Sequence, residues 1–238
     1  KTAWADEASG GAVTITACDN TRNFYYTANG EASVASWTIQ QITVVLPADQ
    51  NIKKVLANRW SAGNNIISGT ILTETGKLFA FRKPTGSNTF SFSAYASPST
   101  VMDITLDDAA DRIFAFNLTD KKAYRIQLTS GNSTPNAMAI NPANSALASA
   151  NTMAFRNNRL TVAGNNGELY SAILNSAGAS IPSGVWNIIT HTLRPLPLND
   201  VQWSGTGDKV YAVGADGTVL EKYVPVVGPA VGNWRVMP

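Results

Sequence analysis

Acidic residues on predicted strands are the side chains of this sequence that could most readily do chemistry. Asp103 and Asp200 each fall in a short segment with the alternation of a β-strand. A pair of carboxyl groups can hydrolyse a glycoside when one acts as general acid and the other as base or nucleophile, about 5 to 10 Å away. The sequence does not give that separation. The alternative is that each aspartate caps a turn or faces solvent at a strand end.

Other catalytic and metal-binding groups are sparse. His191 is the only histidine, so a Ser-His-Asp triad would depend on this one imidazole, and a site with several histidine ligands cannot form. Cys18 is the only cysteine, which excludes a disulfide within the chain. The acidic turn from Asp107 to Asp111 lacks the alternating oxygen ligands and the glycine of an EF-hand loop. We therefore expect no catalytic residue, no metal and no cofactor.

Charge and hydropathy limit the classes of partner. The net charge is +2, and the longest cationic runs are the pairs Lys53-Lys54 and Lys121-Lys122. A nucleic-acid-binding surface normally presents a stripe of cations, so we predict no nucleic-acid partner. No apolar run approaches the roughly 20 residues of a membrane-spanning helix. The abundance of Asn, Ser, Thr, Ala and Gly is typical of secreted bacterial proteins and virion proteins, which predicts an extracellular or virion location.

Short strands and tight turns must position these residues, and the clearest example is the segment from Asp200 to Tyr223. Asp200 to Trp203 alternates and stops at a glycine-containing turn, Ser204 to Asp208. Lys209 to Val213 resumes the strand pattern, and a second turn at Ala215 to Gly217 leads into the last strand. The segment predicts a β-meander. One meander of this size cannot bury a core, so such units must stack.

An apolar-x-apolar step marks the outermost strand of each unit. Its copies are Trp37/Ile39, Phe90/Phe92, Met138/Ile140, Trp186/Ile188 and Trp234/Val236. The first members are separated by 53, 48, 48 and 48 residues. Near-equal spacing of this length is typical of tandem four-stranded repeats.

The other strands follow the same period. The predicted first strands are Thr2 to Ala5, Lys53 to Ala57, Val101 to Leu106, Thr152 to Phe155 and Asp200 to Trp203. The second strands are Val13 to Ala17, Ser68 to Leu72, Ile113 to Asn117, Leu160 to Ala163 and Val210 to Val213. The third strands are Asn23 to Thr27, Lys77 to Arg82, Ala123 to Leu128, Glu168 to Ile173 and Thr218 to Tyr223.

Two of these units resemble known repeats. Asp200 to Tyr223 resembles the core of a WD40 repeat, with its Asp-Gly-Thr-Val turn and strand at 216–219. Val101 to Leu128 is similar to a YWTD or NHL-type repeat, in which an acidic turn precedes the second strand. The Gly-His and Trp-Asp pairs of the first family and the YWTD string of the second are absent from the sequence. The resemblance therefore implies the architecture of a β-propeller.

The sequence thus predicts an all-β fold: a five-bladed β-propeller of four-stranded antiparallel blades, with a two-sheet sandwich as the rival. A single domain, 1–238, would hold blades at 1–47, 51–97, 98–142, 150–194 and 198–238. Because each blade is contiguous in sequence, we expect a ring without an exchanged closing strand. The predicted closing seam joins Ile15, Phe24 and Trp37 to Val210, Val219 and Trp234.

The tryptophans have two interpretations. Trp37, Trp186 and Trp234 recur in one phase, which favours packing between neighbouring blades, although sugar binding is the alternative. The other three lie in or near predicted first strands, where they could fill a central channel or line its mouth. With the two aspartates they form the candidate ligand-contact set: Trp4, Trp60, Trp203, Asp103 and Asp200.

Propellers present two rigid faces of loops, which suits docking. We therefore expect a non-catalytic interaction or structural module with a protein or a surface glycan as its partner. Two alternatives stay open, a secreted glycan-binding lectin and a five-bladed glycoside hydrolase. The latter would place its carboxyl groups on the inner strands. The sequence gives no oligomeric state.

Overall fold

The structure, a computed structural model, describes residues 2–5, 14–18, 24–27, 40–42, 51–60, 66–83, 90–107, 111–128, 136–147, 149–189, 196–225 and 234–237. All regular structure in these ranges is β-strand, and none of it is helical. For the strands before residue 43 the backbone alone is described.

The strands form four-stranded sheets, each built from four consecutive strands. The first sheet contains β1 Thr2–Ala5, β2 Thr14–Cys18, β3 Phe24–Thr27 and β4 Gln40–Ile42. The second contains β5 Ile52–Trp60, β6 Ile66–Thr73, β7 Leu78–Lys83 and β8 Ser91–Ala94. The third contains β9 Val101–Asp107, β10 Arg112–Asn117, β11 Lys122–Gln127 and β12 Ala137–Ile140. The fourth contains β13 Ala150–Arg156, β14 Arg159–Gly164, β15 Leu169–Ile173 and β16 Asn187–Ile188, and the fifth contains β17 Leu198–Trp203, β18 Lys209–Gly214, β19 Val219–Tyr223 and β20 Arg235–Val236.

The predicted first, second and third strands of all five sheets are confirmed, with small changes at their ends. They form because alternating or fully apolar segments lie between turn residues. β18 buries Val210, Ala212 and Gly214 and leaves the alternate residues half-buried, as expected for a strand that packs on one face. β10 and β14 are buried along their whole length, which fits second strands with a neighbour on each side.

A recurrent turn joins the second and third strands, and we call it the second hairpin of each sheet. In the turns Thr73–Lys77, Gly164–Glu168 and Gly214–Thr218, the first residue's N–H donates to the last residue's carbonyl at 2.8 to 3.0 Å. The fourth residue is a glycine with φ between 76° and 82°. This left-handed conformation strains residues with a Cβ, which explains the glycines. The third sheet places Lys121, with φ 55°, at the corresponding turn.

The chain divides into two compact units. Unit 1 comprises Lys1–Val101, Asp108–Ile113 and Ile126–Ala137, and unit 2 comprises Met102–Asp107, Phe114–Arg125 and Met138–Pro238. In unit 1, β1 runs beside β5, and Phe81, Phe90 and Phe92 form a ring cluster with centroids 6.1 to 6.4 Å apart.

In unit 2 the apolar core lies between neighbouring sheets. One cluster joins the third and fourth sheets, with Phe114, Phe116 and Ile140 facing Met153, Leu160 and Tyr170. A second cluster joins the fourth and fifth sheets through Ala154, Ala163, Leu169, Val201, Leu220 and Trp234. In unit 2 the third, fourth and fifth sheets therefore bury apolar side chains against their neighbours, as the repeat predicts.

The register corrects the predicted phase of the outer strands. Ala94, Ile188 and Val236 pair with Phe79, Tyr170 and Leu220, which each lie three residues after the second-hairpin glycine. Phe92, and not Phe90, is thus equivalent to Trp186 and Trp234. Met138, with 47% of its surface exposed, does not share their packing. The left-handed residues of the second hairpins, 76, 121, 167 and 217, are 45, 46 and 50 residues apart. The repeats are therefore less regular than the spacing of 48 between the predicted apolar-x-apolar steps, and part of that regularity is coincidental. The first sheet's outer strand is Gln40–Ile42, and the prediction for Trp37 and Ile39 falls outside the described residues.

The prediction for Val210 and Trp234 at a closing seam is wrong. Both lie in the cluster between the fourth and fifth sheets. Alternation explains this result, because Val210, Ala212 and the paired Leu220 share one face of the fifth sheet. Val219 points to the other face and is exposed. The side chains of Ile15, Phe24 and Trp37 lie outside the description.

Candidate functional site

The two candidate aspartates occupy the same position on successive first strands of the fold. Asp103, Thr152 and Asp200 are each the third residue of their strand, in β9, β13 and β17. Lys54 holds the same position in β5. In β5, β13 and β17 this residue directly follows a bulge in the pairing with the second strand. The bulge changes the direction of the strand at its start and so helps set where the third side chain points.

A single hydroxyl group connects the two aspartates. Thr152 Oγ1 lies 3.3 Å from Asp103 Oδ2 and 3.4 Å from Asp200 Oδ1, and its one proton can be donated to only one of them at a time. The two carboxylate oxygens are therefore at most about 7 Å apart, and this upper limit is compatible with the separations found for carboxyl pairs of glycosidases. The structure thus brings together Asp103 and Asp200, which the sequence could not place.

The environments of the two carboxylates differ. Asp103 is buried, its Oδ1 accepts the N–H of Ile104 at 2.8 Å, and its Oδ2 accepts the N–H of Met153 at 2.9 Å. The bond to Met153 crosses from the third sheet to the fourth, so this carboxylate fastens two sheets. Asp200 is exposed, and its Oδ1 accepts the N–H of Val201 at 2.8 Å. Of the pair, Asp200 is the one that solvent or a ligand can reach.

Trp203 lies at the other end of β17, half-buried against the cluster between the fourth and fifth sheets. The guanidinium carbon of Arg159 lies 5.2 Å from the centroid of its ring, a cation–π contact. Arg159 Nη2 also donates to the carbonyl of Pro225 at 2.9 Å, and burial lowers the pKa of this guanidinium. Trp203 therefore packs between two sheets, and a part of its surface stays open to solvent.

The backbone register places Trp4 at the position in the first sheet that Trp203 holds in the fifth sheet. Trp4 pairs with Ile15, and Trp203 pairs with Val210. Ile15 and Val210 each stand three residues before the last paired residue of their strand. Trp60 is the final residue of β5. The side chains of Trp4 and Trp60 lie outside the description, so their ligand contacts stay predictions.

The outer-strand tryptophans of unit 2 pack as predicted. Trp186 Nε1 donates to the carbonyl of Pro142 at 3.1 Å, and its ring meets that of Phe116 edge-on at 6.3 Å. Trp234 is 7% exposed in the cluster between the fourth and fifth sheets. Both rings are used for packing between sheets, which the shared phase predicted.

The sequence patterns did not predict the surface where the first hairpins of the fourth and fifth sheets meet, a first hairpin being the turn that joins the first and second strands of a sheet. Arg156 donates through Nη2 to the carbonyl of Gly205, and Asn157 Nδ2 donates to the carbonyl of Thr206 at 3.1 Å. Trp203 precedes the second of these hairpins and faces the fourth sheet, whereas Tyr223 points to the opposite face of the fifth sheet. We call Arg156, Asn157, Trp203 and Thr206 the seam patch. The signal available in the sequence was an Arg and a Trp next to predicted turns.

Within the described ranges, no group of three or more His, Cys, Asp or Glu side chains is placed to hold a metal ion. His191 lies outside these ranges. In the same part of the chain, no helix has the length and apolar character needed to cross a membrane.

Comparison with known proteins bears on the fold alone. No family model matches the sequence, and no curated protein sequence matches it significantly. The structure is similar to the Dos1 propeller, with a TM-score of 0.62 and 11% identity over 100% of this chain and 59% of that one. It is also similar to human WBSCR16, with a TM-score of 0.56 and 9% identity over 100% and 66%, respectively. For Hsv2 of Kluyvelomyces marxianus the TM-score is 0.56, with 10% identity over 96% and 63%.

The chain spans less than two thirds of the length of these three structures. Because 940 chains of known structure match and these identities are near 10%, the likeness shows the architecture and transfers no activity.

Proposed function

Because the chain has the β-propeller fold, we propose that it is a non-catalytic module that binds another protein. The observation that supports this proposal is the use of the Asp103 carboxylate. Both of its oxygens accept backbone N–H groups, and one of those bonds joins two sheets. A buried carboxylate with these two partners stabilises the scaffold and has no oxygen directed at solvent for a substrate. Asp200 alone cannot supply the two-carboxylate mechanism of a glycosidase.

We propose further that the sheets are the five blades of one ring, without an exchanged closing strand. This is supported by the order of strands, since each sheet takes its four strands from one continuous stretch of sequence. A crystal structure of the chain tests the proposal directly. Four blades, or a blade completed by a distant strand, would contradict it.

The test of function measures glycoside turnover and protein binding on the same purified chain. A panel of aryl glycosides should show no turnover above buffer, and the Asp103→Asn and Asp200→Asn variants should behave as the unmodified chain does. A turnover that Asp200→Asn abolishes would overturn the non-catalytic proposal. Capture of a defined protein partner that competes with no glycan would support it.

A lectin is the second candidate. It is favoured by the exposed polar side chains along β17, namely Asn199, Asp200 and Gln202, since sugars are bound by carboxylate and amide groups. A glycan array tests this candidate. Binding that shifts tryptophan fluorescence and is lost in Asp200→Asn would replace the protein-binding proposal with a lectin. An extracellular or virion location is proposed on composition, and fractionation of the source cells and particles tests it.

A further inference from the structure

The chain contains four methionines, all in the described part of unit 2, and their surroundings differ. Met102 and Met153 are 6% and 1% exposed, in the cluster between the third and fourth sheets. Met237 is half-buried and directly follows the last outer strand. Met138, in the outer strand β12, is 47% exposed. A reagent dissolved in water therefore reaches Met138 most readily.

The sulfur of Met138 has a polar neighbour. Arg125 Nη2 donates to Met138 Sδ at 3.6 Å, and the large radius of sulfur makes this a hydrogen-bond distance. The other terminal nitrogen of the guanidinium, Nη1, donates to the carbonyl of Ala177 at 2.7 Å. Because the guanidinium is planar and bonded at two points, it is held in place beside the sulfur. A thioether sulfur has two lone pairs, and this hydrogen bond occupies one of them.

An exposed thioether reacts with peroxides to give a sulfoxide. A lone pair of the sulfur attacks one oxygen of hydrogen peroxide, and the O–O bond breaks. The proton of the bound hydroxyl moves to the departing hydroxide, which leaves as water. The sulfur is thus oxidised, and the peroxide reduced, by two electrons. The product is polar, exists as two epimers at sulfur, and is reduced back to methionine by reductases that each act on one epimer.

We propose that Met138 is a reversible oxidation site for peroxides and that Arg125 directs the reaction to one sulfoxide epimer. Exposure selects Met138, because Met102 and Met153 react only when the fold opens. The hydrogen bond selects the epimer, because the lone pair that accepts it is a poorer nucleophile and is shielded by the guanidinium. The oxidised side chain stays at the surface, so the fold is retained. This inference goes beyond the proposed function and does not depend on it.

The site is tested by treating the full chain with dilute hydrogen peroxide and following each methionine by peptide mass spectrometry. Met138 should oxidise about tenfold faster, or more, than Met102 and Met153, and also faster than Met237. In urea, the control, all four should react at similar rates. Oxidation of Met138 no faster than that of Met153 in the folded chain would overturn the site. Loss of the cooperative unfolding transition after one oxygen is added would contradict its place at the surface.

The role of Arg125 is tested on the peptide that carries the Met138 sulfoxide, with one stereospecific reductase for each epimer. The unmodified chain should give one epimer in about threefold excess or more, and Arg125→Ala should give nearly equal amounts, as should the chain oxidised in urea. Arg235→Ala is the matched control, because Arg235 Nη2 contacts the sulfur of Met237 and not that of Met138. It should leave the epimer ratio at Met138 unchanged. Equal epimers in the unmodified chain, or an excess that persists in Arg125→Ala, would overturn this role.

Discussion

The carboxylate of Asp103 is expected to matter for stability and not for turnover. In Asp103→Ala, the N–H groups of Ile104 and Met153 would lose their acceptor. Because both residues are buried, water cannot replace it. We expect the free energy of unfolding to fall by about 2 to 4 kcal/mol. Urea unfolding measures the change. Asp200→Ala is the control and should cost less than about 1 kcal/mol, since Asp200 is exposed and water can take the place of its carboxylate beside the N–H of Val201. Equal costs in the two variants would contradict the structural role of Asp103.

Burial raises the pKa of Tyr95 to about 12 from an ordinary value of 10.0. The unfolded chain therefore loses the phenolic proton more readily than the folded protein does. The stability associated with Tyr95 is complete below pH 10 and is lost as the pH rises towards 12, by about 2 to 3 kcal/mol. Urea midpoints between pH 9 and 12 measure the loss. Tyr95→Phe carries no phenolic proton and should show a flatter pH dependence, and an unchanged slope in this variant would refute the assignment.

The strand β6 has no space for a side chain at Gly69. A Cβ at Gly69 would overlap the carbonyl oxygen of Leu56 and the ring of Phe81, on the two strands that flank β6. The Leu56 carbonyl cannot move without disturbing strand pairing, and the Phe81 ring cannot move without disturbing its packing on Phe90 and Phe92, so Gly69→Ala should destabilise the chain by about 1 to 3 kcal/mol. Thermal unfolding is the measurement. Gly205→Ala is the matched control, because a Cβ there would meet no atom within 4 Å. A Gly69→Ala variant as stable as this control would show that the sheet can yield.

The strands themselves were largely predictable from sequence. Alternation and turn residues located β18 and β19 to within one residue, because local propensity and burial agree in this part of the chain. The phase of the outer strands was less predictable, since Phe90 and Phe92 are both apolar and their order is decided by pairing with β7. The packing face of Val210 required the alternation to be traced across two paired strands.

The candidate site was predictable only in part. The sequence identified Asp103 and Asp200 as inner-strand acids, but their approach through Thr152 depends on contacts between sheets about 50 residues apart. The seam patch depends on contacts of the same kind, which join Arg156 and Asn157 to the next sheet's hairpin. Spacing along one strand cannot reveal such juxtapositions, because they are set by the packing of neighbouring sheets.

At the scale of the whole molecule, the interior of unit 2 is made of surfaces shared by two sheets. Ala154, Ala163, Leu169 and Ile189 of the fourth sheet and its flanking segment are buried by the fifth. A chain that ends at residue 197 would expose them, and we expect it to bind the dye ANS and to lose its sharp thermal transition. The full chain should bind little dye and unfold sharply. Calorimetry and dye fluorescence measure the two effects. A shortened chain that melts sharply without binding dye would mean that the fourth sheet can close its core without the fifth.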